Sequence, residues 1–143
     1  MKKFNFSLQK VLDFREFEKK QAEAELGKAV AEETKIQNTL DMIAKQHASS
    51  VVAADSMKDI NDMLYVQNYF RLLDYQKEQA LTALAQAQVI TEEKRDVMRN
   101  AMKNCKVLEN LRDSRKDAWK KENIKAEENT IDDIVTSKYS KNQ

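Results

Sequence analysis

The chain has 143 residues, with 25 basic and 24 acidic side chains, a formal charge of +1, one Gly and no Pro. Turns use Gly and Pro for positive or preset φ angles, so a chain this poor in both has few turns to spend on a layered sheet fold. A mean hydropathy of -0.76 leaves too little apolar material for a thick core.

The same counts exclude much chemistry. One His and one Cys rule out an ordinary His/Cys zinc site and any intrachain disulfide. A single glycine, Gly27, cannot frame a phosphate-cradling loop, which needs several for close backbone approach. No catalytic residue, cofactor or metal is expected, and the chain reads as a non-enzyme. No apolar run reaches the length of a membrane span. The start, Met1-Lys2-Lys3-Phe4-Asn5-Phe6, has charge but no apolar core, so a signal peptide is not expected.

In chain order, the first helix is predicted over about residues 6–48. With Ser7 as N-cap, Phe6 and Val11 take the two positions of a hydrophobic staple, though Lys10 occupies the place of the capping-box acid. A 3/4-spaced row then runs through Ala22, Leu26, Ala29, Glu33, Ile36, Leu40, Ile43 and His47, a heptad seam with one polar break. Upstream the row weakens to Arg15 and Lys19, while Leu8, Leu12, Phe14 and Phe17 supply apolar bulk.

The link is expected at about 49–56. Ser49, Ser50, Val51 and Val52 are poor helix interior, and Ser56 with Asp59 three residues on reads as the opening of the second helix. That helix is predicted over about 57–130, with a tail from 131 to 143. Its seam is Val66, Phe70, Leu73, Lys77, Ala80, Leu84, Ala87, Thr91, Lys94, Met98, Ala101, Cys105 and Leu108. A short link makes the two helices fold back antiparallel. The expected fold class is all-α: two long helices in an antiparallel coiled-coil hairpin forming a single domain. Equal rise on both helices puts residue i near residue 112 − i as a rough estimate, so that α-helix 2 overhangs beyond about residue 105.

Charge is unevenly spread. Residues 1–20 carry six basic and three acidic groups, and residues 103–125 carry eight and four. Residues 21–102 carry nine and thirteen. In a hairpin both basic segments collect at the end holding the termini. The interleaved acids Glu109, Asp113, Asp117 and Glu122 argue against nucleic-acid binding. Trp119, with no facing helix expected to cover it, stands out in this segment.

Two single residues carry little. His47 lacks a second His or an orienting partner, and Cys105 reads as a small apolar seam residue, with Lys103 and Lys106 near enough to lower its pKa. More telling are four of the ten aromatics, Tyr65, Tyr69, Phe70 and Tyr75, which fall within eleven residues. Phe70 belongs to the seam with Val66 and Leu73. Tyr65, Tyr69, Leu72 and Gln76 form a second stripe about 100° around the helix, which reads either as a broadened core or as a binding surface.

The opening "FNFSLQKVLDFREFEKKQAEAEL" and the later "KVLENLRDSRKDAWKKENIKAEENTIDDIV" resemble the two signatures of the FliJ family of flagellar type III export. The first runs aromatic-x-aromatic, then Leu, then a helix entering Leu/Ala heptads. The second leads from a Leu-Glu-x-Leu-basic run to an aromatic, glutamates and an Asp pair. The resemblance covers nearly the whole chain and is least evident over residues 51–62. It implies a stalk-like coiled coil that engages the flagellar export ATPase hexamer, binds the export-gate membrane protein and escorts export chaperones. Carried onto this sequence, the ATPase-ring contacts are Leu12, Arg15, Arg112, Arg115 and Trp119. The export-gate contacts are Tyr69, Leu72, Leu73 and Gln76. A cytoplasmic monomer is implied, held peripherally at the cytoplasmic face of the inner membrane through the export apparatus, without inserting in it. A prefoldin-like coiled-coil chaperone and a generic coiled-coil scaffold are the rival readings.

Overall fold

The computed structural model describes residues 3–141; Met1, Lys2, Asn142 and Gln143 lie outside that range. Two helices account for nearly all of it: α1 (Gln9–Asp55) and α2 (Ile60–Lys141). There is no strand among the described residues, and the fold is the expected helical hairpin. Contacts group the chain into two compact units, Met1–Lys19 with Asn100–Gln143, and Lys20–Arg99.

In the unit formed by residues 20–99, the heptad seam becomes the core. Ala22, Ala29, Ile43, Val66, Leu73, Ala80 and Thr91 are buried, while the seam's Leu26, Ile36, Leu40, Phe70, Leu84 and Ala87 are half-buried. Ile43, Leu73 and Ala80 pack together, with Leu40, Tyr69 and Phe70 closing over them. The His47 ring lies 4.8 Å from that of Phe70. Ile43 therefore faces Leu73 and His47 faces Phe70, so the helices run antiparallel. Thr91, the buried polar residue of this seam, donates its hydroxyl to the Ala87 carbonyl at 2.9 Å. That bond satisfies it without a partner across the seam.

The unit formed by the N-terminal residues and 100–141 has its own core. Phe6, Leu12 and Cys105 are buried together, flanked by Phe4, Leu8, Leu108 and Leu111. Phe14 and Phe17, expected as apolar bulk, are more than half exposed. They fall off the Leu8–Leu12–Arg15–Lys19 row, which is the one that faces α2.

All four helix ends differ from expectation. The first helix starts at Gln9, and Leu8 accepts its first turn through a Leu12 N–H to Leu8 carbonyl bond of 2.9 Å. With the frame moved by one residue the Phe6–Val11 staple does not form: Phe6 is buried beside Leu12, and Val11 points outward. The first helix also continues through Val51 and Val52 to Asp55. A β-branched residue costs only a few tenths of a kcal/mol up to about 0.7 in a helix, and Ala48, Ala53 and Ala54 around the pair are the best helix formers. Neither Gly nor Pro is present there to impose a stop. The link shrinks to residues 56–59. Ser56 closes α1, its hydroxyl donating to the Ala53 carbonyl at 2.9 Å, rather than opening α2. Asp59 is the N-cap: its Oδ1 accepts the Asn61 N–H at 3.1 Å, and its carbonyl accepts the Met63 N–H at 3.0 Å. At the other end α2 runs through the expected tail as far as Lys141.

Candidate functional site

The later link changes which residues face each other. Glu16 and Cys105 meet, Ser7 meets Arg115 and Phe4 meets Trp119. Each pair lies several residues beyond the 112 − i estimate, so α1 and the residues before it cover α2 as far as Trp119 and not merely to 105. Trp119 is thus half-buried, its ring 5.8 Å from that of Phe4, and the expectation that nothing covers it is corrected.

Around this aromatic pair the structure places the five sequence-predicted ring contacts. Leu12 is fully buried, so its side chain packs the core and offers no surface. Arg15 is half-buried and paired with Glu18 at 3.0 Å. Arg115 donates to the Ser7 hydroxyl at 3.1 Å and sits over the Phe6 ring at 5.7 Å, a cation–π contact. Arg112 is half-buried, with Nε 3.6 Å from the Asp113 carboxylate. Beside it a shallow cleft of about 320 Å³ opens between Phe4, Asn5, Gln9, Asp113 and Lys116. Lys116, Lys120 and Lys121 are exposed on the same segment.

Cys105 is buried, its thiol donating to Glu109 Oε1 at 3.4 Å, and Glu16 completes a group whose ligand atoms lie within 4.8 Å. Burial first, then the Glu109 hydrogen bond and the charges of Glu109 and Glu16, push the thiol above its ordinary value of 9.0, against a smaller opposing pull from Lys19. Lys103 and Lys106 do not lower it, in keeping with the reading of Cys105 as a small apolar seam residue. A protonated, buried thiol is a packing group rather than a nucleophile. Glu16 reaches Cys105 from the other helix, a pairing that depends on the register and was not visible in spacing alone.

The second predicted group lies in the 20–99 unit. Leu73 is buried, 2% exposed, and belongs to the core. Tyr69 is half-buried against that core, while Leu72 is half exposed and Gln76 exposed. Tyr65, next on the same flank, is 76% exposed. Further along this flank, a groove of about 360 Å³ runs between Ala29 and Ile36 of α1 and Ala83, Ala87 and Ile90 of α2. A groove of about 420 Å³ on the other flank is lined by Leu40, Ile43, His47, Asp74, Lys77 and Leu81.

Leu12 and Leu73 lie in the core, and the other residues of both groups are at least partly open on the helices of a coiled-coil hairpin. No described helix is long and apolar enough to cross a membrane. The chain matches the family described as flagellar FliJ protein over residues 4–143, and it belongs to that family, whose members are components of flagellar protein export. No curated protein and no solved structure matches it.

Proposed function

We propose that the chain is a non-enzymatic, stalk-like component of the flagellar export apparatus, acting in the cytoplasm at the inner-membrane face. It engages the export ATPase hexamer through the basic surface around Phe4 and Trp119, meets the export gate through the Tyr69–Gln76 flank, and escorts export chaperones between them. It works as a single chain, without a cofactor and without nucleic acid. The observation that carries this reading is that Arg112 and Lys116 line a cleft with Phe4, the partner ring of Trp119, while Arg115 sits over Phe6, on a segment whose basic groups outnumber its acids by eight to four. Aromatic residues and Arg held rigid by their neighbours are the side chains that anchor protein interfaces, and a local positive field speeds docking. Leu12 and Leu73 act indirectly in this reading, by holding the two helices in register beneath the contact side chains.

The test is addition of the purified chain to its cognate export ATPase. Hydrolysis or ring assembly should rise, and the rise should be lost with Arg112→Glu/Lys116→Glu at unchanged helix content. An ATPase indifferent to the wild-type chain would overturn the stalk role. Wild-type stimulation that survives the double substitution would overturn the placement of the site.

A further inference from the structure

Arg115 differs from the other five arginines in how its charge is met. Arg15, Arg71, Arg95, Arg99 and Arg112 each have an Asp or Glu three or four residues away, the spacing at which helix side chains meet. Arg15, Arg95, Arg99 and Arg112 are ion-paired. Arg115 has Leu111, Arg112, Ala118 and Trp119 at the corresponding positions. Asp113 and Asp117 lie two residues off, on other faces of the helix. Across the hairpin Arg115 again meets neutral groups. It donates to the Ser7 hydroxyl at 3.1 Å, and its guanidinium carbon lies 5.7 Å from the centre of the Phe6 ring. Among the described residues no carboxylate forms an ion pair with it.

These contacts hold the guanidinium in place without neutralising it. Phe6 is buried with Leu12 and Cys105, so its ring is a fixed floor. Ser7 uses only part of the donor fork, and Arg115 is exposed, so further N–H groups are open to a second acceptor. A planar fork that is already oriented loses little freedom when it forms two parallel hydrogen bonds. The acceptors that match it are carboxylate and phosphate. The neighbouring acids decide between them. Asp113 and Asp117 repel a phosphate monoester, with about two negative charges, more than a carboxylate with a single one.

We infer that Arg115 is a receptor for a carboxylate side chain of a partner protein, kept ready for it by Phe6 and Ser7. The inference deepens the ATPase-ring reading and rests on it: the carboxylate belongs to an Asp or Glu on the ring surface. Arg115 makes the contact. Ser7 and Phe6 are positioning residues, which act by fixing where the guanidinium points before the partner arrives.

The test is binding of the full chain to its immobilised cognate export ATPase, with association and dissociation rates read separately. Arg115→Lys keeps the charge and removes the fork, and should weaken binding about tenfold. Ser7→Ala should speed dissociation several-fold while leaving the association rate and the melting temperature unchanged, because it alters no charge and Ser7 is exposed. Ser7→Thr, which restores the hydroxyl, should return the wild-type rate. Arg115→Glu should abolish binding, and exchange of one exposed Asp or Glu of the ring for Arg should recover it. An ATPase that does not bind the wild-type chain overturns the ring reading and this inference with it. Where the wild type binds, Arg115→Lys of wild-type affinity or Ser7→Ala of wild-type dissociation rate overturns the inference alone. So does an Arg115→Glu chain that no acid-to-Arg exchange on the ring rescues. Displacement of the complex by inorganic phosphate, at an ionic strength where chloride has no effect, would mark a phosphate site and overturn it as well.

Discussion

Neighbouring residues on α2 divide the labour of packing and contact. Leu73 is buried while Leu72, one position earlier and about 100° around the helix, is half exposed. Leu73→Ala removes a fully packed side chain and should cost about 2–5 kcal/mol, read as a lower midpoint in urea. Leu72→Ala should cost well under that, and any loss it causes belongs to binding. Tyr69 falls between the two. Its half-buried ring covers Ile43 and Leu73, so Tyr69→Ala should lower the melting temperature measurably as well as weaken partner binding. Tyr65→Ala, at a position more exposed still, is the substitution that separates contact from stability. The seam was legible because Leu, Phe and Ala recur at 3/4 spacing. Half-burial of Tyr69 was not, since a flanking position's exposure depends on how far the facing helix reaches round.

Cys105 gives a second residue-scale expectation. Its thiol pKa is raised in the folded chain, so the folded state resists ionisation. Stability from this group is fully present below its ordinary value of 9.0 and is lost as pH rises through the higher folded value. Urea unfolding at pH 8 and pH 10.5 should show a decrease at the higher pH that shrinks in Cys105→Ala. Alkylation by iodoacetamide at pH 8 should be slow in the native chain and fast in denaturant. A native thiol that reacts at the unfolded rate would show that the Leu12–Cys105 core is open.

At the scale of the element, the link is where sequence reading and structure part. A Ser/Val cluster suggested a break, yet the helix crosses it, because propensity differences of a few tenths of a kcal/mol per residue are small beside the neighbouring alanines and no Gly or Pro imposes a stop. What stops α1 is the cap chemistry of Ser56 and Asp59, within one turn of each other. Spacing showed that a start signal lay in 56–59 and did not show which residue used it. Part of the register difference follows from this, since a later link moves every cross-helix pair, and part from Phe4 and Ser7, which lie before the helix, where the chain advances further per residue. Asp59→Ala should therefore cost about 1 kcal/mol by removing the N-cap bond to Asn61, against a few tenths for Asp59→Gly. Thermal melts of the two variants compare these directly, and equal melting of Asp59→Ala and wild type would show that Asp59 does not cap α2.

For the molecule as a whole, the proposed encounter with the ATPase is expected to depend on the distribution of charge more than on the near-zero total. The fold class and family were legible from length, heptads and the two end signatures, because those depend on period and composition. The covering of Trp119 by Phe4 was hidden, because it rests on chain outside any helix reaching a particular turn of α2. That contact gives the proposed ATPase-facing surface a spectroscopic handle: Trp119 is the only tryptophan in the chain. Half-buried against Phe4, it should emit to the blue of free indole in water. Phe4→Ala should shift that emission to the red while leaving helix content unchanged. If the proposed ring contact is correct, binding of the ATPase should also change Trp119 emission in the wild type. The association rate should fall as salt is raised, since screening over a Debye length of about 8–10 Å at physiological ionic strength weakens steering by the basic segment. Stopped-flow fluorescence across a salt series measures both. A rate independent of salt would show that the excess of basic groups in residues 103–125 does not guide docking.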